Sequence, residues 1–488
     1  ELTAGLFLWP VSGYNRWIGK VLWMKEGIHM KKNHLAIWVT AALLSLPFSS
    51  AFAADAADAT APAMEQGMQQ GQMPEGQPPE GMMPPGGFNP PGEVTQGTSA
   101  NTISKNETVK GAVYMSKGDN ENALRITGAD VSLDRIVAEK ISGATSNTEA
   151  GDFYGQNAAL LATDGAKVSL KNSFVTSNAQ NGNGVFSYGK GTKVYVEDTV
   201  ITTHKDNSGG IQTTGGGYTE ARNLTIVTEG NSSAAIRSDR GGGTVIVKGG
   251  SFKTGGSGSP AIYSIADIRV EGADLLATSS EGAVIEGKNS ISLKDSTLDG
   301  HMNAVCKMGD RTMTEENVHT VMIYQSMSGD AEKGRSDFSM EGSTLHSRAG
   351  DVIYVTNTDC NIKLKDTEIT SDDADGALLC VVGNSASRGW GKKGANGGNA
   401  DVLLENEKIK GNIIADDISM LNLTLKNTRW TGALSIDKNA AATDPKGTVN
   451  VKIDEGSSWA LTGDSTVTTL ENHGTILKNG HTLTVLKA

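Results

Sequence analysis

The sequence predicts an all-β parallel β-helix with three strands per coil, and three observations support this fold class. An eight-residue pattern occurs ten times: apolar, any, apolar, charged, then Asn, Asp or Gly, two further residues, and an apolar residue. The charged position alternates in sign, and the position after it always tolerates a left-handed backbone. Most copies start 21 to 26 residues apart, a period typical of stacked coils of about 25 residues. The copies begin at Val168, Val194, Thr219, Val245, Ile268, Ile291, Phe338, Ile362, Val402 and Leu423.

The charged position indicates how the coils align. Equivalent residues of stacked coils lie about 4.8 Å apart, so opposite charges attract and like charges repel. Eight of the nine neighbouring pairs have opposite signs, and only Arg222 and Lys248 share one. Because an exposed pair contributes only ~0.2–1 kcal/mol, we expect this ladder to set the register more than the stability. Its members are Lys171, Glu197, Arg222, Lys248, Glu271, Lys294, Glu341, Lys365, Glu405 and Lys426.

The position after each charge predicts a tight corner between two short strands. Asn, Asp and Gly are the residues that best tolerate the left-handed conformation such a corner needs. The closing apolar residue of each copy, from Val175 in the first to Trp430 in the last, then points back to the core. A third strand precedes each unit, with a small residue before an apolar one, as in Ala159-Leu160 and Ala261-Ile262. Three strands per coil predict a prism with a continuous apolar core.

The first 97 residues are predicted to be a leader and a tether. Residues 1–29 read as untranslated upstream sequence, because a secretory signal starts at Met30 with Lys31-Lys32, an apolar stretch and Ala51-Phe52-Ala53. Residues 30–53 are therefore the expected signal peptide, and the protein is expected in the periplasm, on the cell surface or secreted. Residues 54–97 are rich in Pro, Gly, Met and Gln and predict a disordered tether. The β-helix is expected over 98–445, and capping coils over 446–488.

The composition narrows the function classes. A net charge of −12 argues against nucleic acid as a partner. The apolar part of the signal is too short to predict a transmembrane span that remains after its cleavage. Three cysteines, Cys306, Cys360 and Cys380, allow three disulfide pairings and leave one thiol over, and a buried free thiol suits Cys380.

The candidate binding site lies in insertions between residues 300 and 400, which form either loops or an extra coil. The segments 325–336 and 383–399 follow the same strand of their coils, so they are expected at one corner, two coils or about 10 Å apart. The second segment contains a Trp in a basic, Gly-rich loop, which suits stacking on a sugar or a protein contact, although a structural cap fits it too. The predicted binding residues are Gln325, Asp330, Arg388, Trp390, Lys392 and Lys393.

No cofactor is predicted, and one acidic turn is a candidate for calcium. Asp372, Asp373 and Asp375 are hard oxygen ligands, but the spacing and closing Glu of a known calcium loop are missing. As a solvated turn the segment needs no ion. No catalytic residue and no other metal ligand are assigned.

These repeats resemble the right-handed parallel β-helix proteins, the pectate-lyase-like fold, over about 123–488. The segments Trp430-Thr431-Gly432 and Ser458-Trp459-Ala460 further resemble the terminal repeats of autotransporter passenger domains. That family implies secreted adhesins and surface proteins. The membrane barrel of that family has no counterpart before Ala488, so self-export is not expected.

Two functions are compatible with this fold. The first is an exported, non-enzymatic, adhesin-like protein that binds a glycan or another polymer of a host or bacterial surface. The alternative is a polysaccharide lyase or glycoside hydrolase acting on an acidic polysaccharide, which would need gathered carboxylates. The outward central row of the repeat, which includes Ser169, Tyr195, Glu220 and Arg269, contains no acidic cluster. The sequence therefore favours binding over catalysis, and it leaves the oligomeric state open.

Overall fold

The computed structural model describes residues 93–308, 311–314, 317–326, 328–386 and 391–487. The predicted segments 1–29 and 30–53, and the tether as far as residue 92, lie outside these ranges. The described chain forms a parallel β-helix, as the repeats predict, because successive coils stack their strands in parallel into two long sheets.

The first strands of the coils form a parallel sheet of 13 strands, called the first sheet. Each strand alternates one inward and one outward side chain. Its strands are Thr102–Ile103, Leu124–Thr127, Leu160–Thr163, Val185–Tyr188, Ile211–Thr214, Ile236–Ser238, Ile262–Ser264, Ala283–Glu286, His319–Tyr324, Asp351–Thr356, Leu379–Val382, Ile413–Asp416 and Leu434–Asp437.

The second strands carry the charge ladder and belong to a sheet of 22 strands. They are Glu107–Lys110, Asp130–Asp134, Lys167–Lys171, Lys193–Glu197, Gly217–Thr228, Gly243–Thr254, Asp267–Glu271, Ser290–Lys294, Arg335–Glu341, Asp359–Lys365, Asn399–Glu405, Met420–Lys426, Thr448–Ile453 and Thr469–Asn472. Gly217–Thr228 and Gly243–Thr254 run on through the corner into the third strand of their coils.

The third strands complete the same sheet as far as Ser371. They are Val113–Ser116, Val137–Lys140, Phe174–Ser177, Val200–Thr203, Asp274–Ala277, Thr297–Gly300, Thr344–Ser347 and Glu368–Ser371. The later third strands form a separate parallel sheet of four: Lys408–Lys410, Arg429–Thr431, Ser458–Ala460 and Thr475–Leu477. The parallel pairing of the third strands is therefore interrupted between Ser371 and Lys408.

The remaining elements do not belong to these three sheets. A helix, Thr148–Tyr154, is capped by Asn147 at its start and by Gly155 at its end. Val305–Met308 pairs with Arg311–Thr314 in an antiparallel hairpin. The last short parallel pairs are Thr98–Ser99 with Glu121–Asn122, and Ser465–Val467 with Leu483–Val485.

The predicted register is confirmed at every step of the ladder. Lys171 pairs with Glu197, Glu197 with Arg222, and so on through Glu405 with Lys426. The ladder also continues towards the N-terminus, where Lys110 pairs with Asp134 and Asp134 with Lys171. The sign alternation therefore begins two coils before the first copy of the pattern.

The predicted corners are confirmed as well. All ten residues at the corner position have a φ between 47° and 68°, the left-handed region. The closing apolar residues lie in the core, with one exception, Ile369, which is half-buried. Ile369 lies on the last third strand before the interruption, so no strand of the next coil covers it from that side.

The two tryptophans of the terminal repeats are structural, and the core position of Trp430 was predicted. Trp430 and Trp459 occupy equivalent positions, with ring centroids 4.7 Å apart and planes at 12°. Each indole nitrogen donates to a backbone carbonyl at 2.9 Å, Trp430 to Gly411 and Trp459 to Gly432. The buried rings therefore stack along the axis and have their polar atoms satisfied.

Candidate functional site

The outer face of the second strands is the candidate site, and we call it the groove face. It consists of three columns of outward residues: the ladder column, the central column that runs through Ser169, Tyr195 and Glu220, and the flanking column that runs through Lys167, Lys193 and Tyr218. The alternation of side chains along a strand places every second residue of each coil on this face. Stacking the coils then aligns these residues into columns.

Three shallow depressions lie on the groove face. Two adjoin at the N-terminal end, with volumes of ≈ 550 Å³ and ≈ 400 Å³, and both are lined by Ser169 and Tyr195. A third, of ≈ 240 Å³, lies at the C-terminal end and is lined by residues that include Asn422, Asn450 and Thr469. Nine coils separate Tyr195 from Asn450, which corresponds to about 40 Å at the spacing of neighbouring strands.

Two tyrosines lie at the N-terminal end of this face. Tyr195 and Tyr218 come from adjacent coils, with ring centroids 5.9 Å apart and planes at 53°. Tyr195 is 39% exposed, so one face of its ring remains available to a ligand. The Tyr218 hydroxyl donates to Glu220 at 3.1 Å, which fixes the orientation of the second ring. An exposed aromatic ring among hydroxyl and charged groups suits stacking against the apolar face of a sugar.

The C-terminal end of the face is lined by side-chain amides. Asn422 Nδ2 donates to Asp401 Oδ1 at 2.7 Å, and Asn450 Nδ2 donates to Asn422 Oδ1 at 2.9 Å. Thr469 Oγ1 donates to Asn450 Oδ1 at 2.7 Å. Each amide uses one donor along this chain, and among the described residues the second N–H of the group has no partner. Such a column can donate to and accept from hydroxyl groups.

The one like-charged step of the ladder is neutralised from the central column. Arg222 turns away from Lys248, and its Nε donates to Glu220 Oε1 at 3.0 Å. Although partial burial opposes the change, hydrogen bonds from Arg222 and Tyr218 lower the pKa of Glu220. The Glu220 carboxylate therefore lies among two cations and supplies the negative charge that the ladder lacks there.

The first predicted insertion is found against the first sheet. Gln325 is only 7% exposed, and its side-chain amide donates to the Ser326 carbonyl at 3.0 Å. Asp330 Oδ1 accepts from Arg240 Nη2 at 2.7 Å. Arg240 belongs to an earlier coil, and its guanidinium lies 4.1 Å from the ring centroid of Phe153 in the helix. The insertion therefore extends towards the N-terminal coils.

The second predicted insertion is anchored on the other side of the intervening coil. The Gly383 amide donates to Asp416 Oδ2 at 2.7 Å, towards the C-terminal coils, and the Asn384 amide donates to the Ala395 carbonyl at 3.1 Å. Lys392 and Lys393 are exposed. Arg388 and Trp390 lie outside the described residues, so a binding role for this loop stays a prediction.

Neither long step of the repeat contains an extra coil. Ala283–Glu286 pairs directly with His319–Tyr324, and Asp359–Lys365 pairs directly with Asn399–Glu405. The intervening residues therefore form insertions between consecutive coils. The first of them includes the antiparallel hairpin of Val305–Met308 and Arg311–Thr314.

The acidic turn uses one of its carboxylates for the backbone. Asp373 accepts from the amides of Gly350 at 2.9 Å and Asp375 at 3.0 Å, and these bonds lower its pKa. Asp372 lies 3.1 Å from His346 Nε2. No cluster of three His, Cys, Asp or Glu side chains suited to a metal occurs among the described residues. A calcium ion at Asp372, Asp373 and Asp375 stays a prediction.

Two of the three cysteines are buried free thiols. Cys360 and Cys380 are unpaired, and burial raises the pKa of both thiols. They are therefore protonated at neutral pH and poor nucleophiles. The side chain of Cys306 lies outside the described part of the chain.

The sequence contains a signal for the groove face that the predicted binding residues do not include. Tyr195 lies in the outward central row of the repeat. Tyr218 precedes Thr219, the one polar first residue among the ten copies, and Thr219 is buried with its hydroxyl 2.6 Å from Thr213 Oγ1. An aromatic residue at an outward position was the informative feature.

The described ranges contain no helix that is long and apolar enough to cross a membrane. No protein-family model matches the chain, and no curated protein matches it either.

Proposed function

We propose that this protein is an exported, non-enzymatic, adhesin-like β-solenoid that binds an extended glycan of a host or bacterial surface. The observation that carries the proposal is the alignment of three depressions along one face, with the exposed Tyr195 and the half-buried Tyr218 at one end and an amide column at the other. A linear polymer laid along the axis would contact both ends.

The chemistry of the face supports a glycan more than a peptide. Sugar rings offer apolar faces for Tyr195 and hydroxyl groups for Asn422 and Asn450, and these are the groups that the two ends present. An extended peptide binds most readily by adding a strand to an open sheet edge. The strands under the groove face have neighbours on both sides, except for Glu107–Lys110 and Thr469–Asn472 at its two ends, so an edge for strand addition is confined to those ends.

Two further features support the adhesin-like part of the proposal. The secretory signal predicted over 30–53 implies export. The terminal repeats around Trp430 and Trp459 resemble those of autotransporter passenger domains, whose members include adhesins.

The central column supports the non-enzymatic part of the proposal, because it lacks neighbouring carboxylates. Glu220 and Glu471, its two acidic residues, lie about 40 Å apart at the strand spacing.

The test is a glycan array probed with the purified full chain and with two variants. We expect Tyr195→Ala to lose most of the signal, because the ring supplies the stacking surface. Val200→Ala is the matched control, since Val200 is also 39% exposed but lies on a third strand. Binding that is equally strong in Tyr195→Ala, or release of oligosaccharides from the bound polymer, would contradict the proposal.

A further inference from the structure

The charges of the groove face are balanced, although the chain as a whole is acidic. Among the paired residues of its three columns from Asp130 to Glu471, eleven are basic and eleven are acidic. The whole chain carries a net charge of −12. The excess negative charge therefore lies away from this face.

Most of these charges are also paired locally. Nine of the eleven basic residues have a carboxylate within 4.0 Å, so little uncompensated charge points outwards. Lys171 and Glu197 are 2.6 Å apart, and Lys452 and Glu471 are 2.7 Å apart. The like-charged step at Arg222 and Lys248 is compensated by Glu220.

A balanced face discriminates against charged polymers. An acidic polymer on this face is attracted by the basic residues and repelled by an equal number of carboxylates. A basic polymer is attracted by the carboxylates and repelled by the basic residues, so neither polymer gains net attraction. Hydroxyl groups bond to carboxylates, amides and ammonium groups alike. The exposed ring of Tyr195 adds contact with a sugar face and needs no charge on the ligand.

We infer that the ligand of the groove face is an uncharged glycan. This inference rests on the proposed function and narrows it to one class of polymer. The face then resembles a mixed lattice of donors and acceptors about 60 Å long, because twelve strand spacings separate Asp130 from Glu471. Its affinity depends on stacking and hydrogen bonding, and it is insensitive to salt.

The first test measures retention of the full chain on immobilised neutral, acidic and basic polysaccharides. The probes are a panel of dextran, mannan, xylan and galactan as neutral polymers, polygalacturonate as the acidic one and chitosan as the basic one. We expect retention on at least one neutral polymer, unchanged between about 0.05 M and about 0.5 M salt. Salt-sensitive retention on polygalacturonate or chitosan alone would overturn this inference and leave glycan binding intact. No retention on any polymer would remove the proposed function itself.

The second test changes the charge balance at one place. Glu197→Gln removes the carboxylate 2.6 Å from Lys171 and gives the face one net positive charge, and we expect retention on polygalacturonate at low salt to rise about two- to fivefold. The double variant Lys171→Gln/Glu197→Gln restores the balance and is the matched control, with retention like that of the wild type. If the single and double variants retain polygalacturonate equally, charge balance does not set the preference and the inference is wrong.

Discussion

Glu407 makes the stability of the β-helix depend on pH. Its side chain is 3% exposed, and its Oε1 accepts from the Thr367 amide at 3.0 Å. Its Oε2 has no hydrogen-bond partner in the described part of the chain. Burial raises the pKa of Glu407 from 4.5 to about 7, and the bond from Thr367 offsets only part of this effect. A carboxyl group with one free oxygen in the core is favoured in its neutral form.

The direction and size of the effect follow from this shift. Below pH 4.5 the group is protonated in both the folded and the unfolded chain and contributes nothing. Between pH 4.5 and 7 the unfolded chain loses the proton and the folded chain keeps it, so the free energy of unfolding falls as the pH rises. A shift from 4.5 to about 7 corresponds to about 3 kcal/mol, reached near pH 7 and constant above it.

Glu407→Gln removes this titration and keeps the acceptor for Thr367. We expect the variant to match the wild type near pH 4 and to be more stable by up to about 3 kcal/mol at pH 8. The measurement is urea unfolding of both proteins at several pH values. Glu368→Gln is the control, because Glu368 is exposed on the neighbouring third strand. A difference between Glu407→Gln and wild type that does not change with pH would refute the reasoning.

Three further changes test the register, the terminal repeats and the first insertion. Glu271→Lys makes a row of three cations with Lys248 and Lys294, and it should lower the free energy of unfolding by roughly 1 kcal/mol at low salt, more than Glu271→Gln does. Equal urea midpoints for the two variants would contradict the stacking of these three positions. In Gly432→Ala the new Cβ would lie 2.0 Å from the Gly411 carbonyl oxygen, so we expect a loss of at least ~2 kcal/mol in urea unfolding, against little change for Gly463→Ala. Arg240 contacts both Asp330 in the first insertion and Phe153 in the helix, so Asp330→Asn should speed amide hydrogen exchange in 328–336 and in the helix Thr148–Tyr154. Faster exchange confined to 328–336 would show that Arg240 does not couple the insertion to the helix.

The coil geometry could be predicted from the sequence because each coil repeats the same physical constraint. A register shift would bring like charges together, and a bulky residue at a corner such as Asn172 or Asp295 would be strained. The insertions carry no such repetition. The direction of 325–336 depends on Arg240, which lies 90 residues before Asp330, and nothing in the local sequence of the loop encodes that partner. Its path could not be predicted for this reason.

Glu407 shows how a departure from the repeat can reveal a local change in the fold. In six other coils the residue after the corner position is Ser or Thr, and Ser343 Oγ accepts from the Ser296 amide of the preceding coil at 3.1 Å. At Glu407 the third strands on the two sides no longer pair, because Glu368–Ser371 and Lys408–Lys410 belong to different sheets. A longer acceptor is needed to reach Thr367 across this interruption, and Glu supplies it. The ionisable group is thus a consequence of the break in the sheet.

The like-charged step of the ladder and the tyrosine pair share one coil, that of Tyr218 and Arg222, and this coincidence connects the architecture with the proposed function. Local inconsistencies in an otherwise regular sequence are expected where function constrains it. Arg222 and Lys248 break the alternation, and Glu220 restores the balance by bonding to Arg222 and to the hydroxyl of Tyr218. The same carboxylate therefore neutralises the like-charged step and orients one ring of the pair. A face that binds an uncharged polymer needs both effects at one place, since an unbalanced cation beside Tyr195 would attract acidic chains instead.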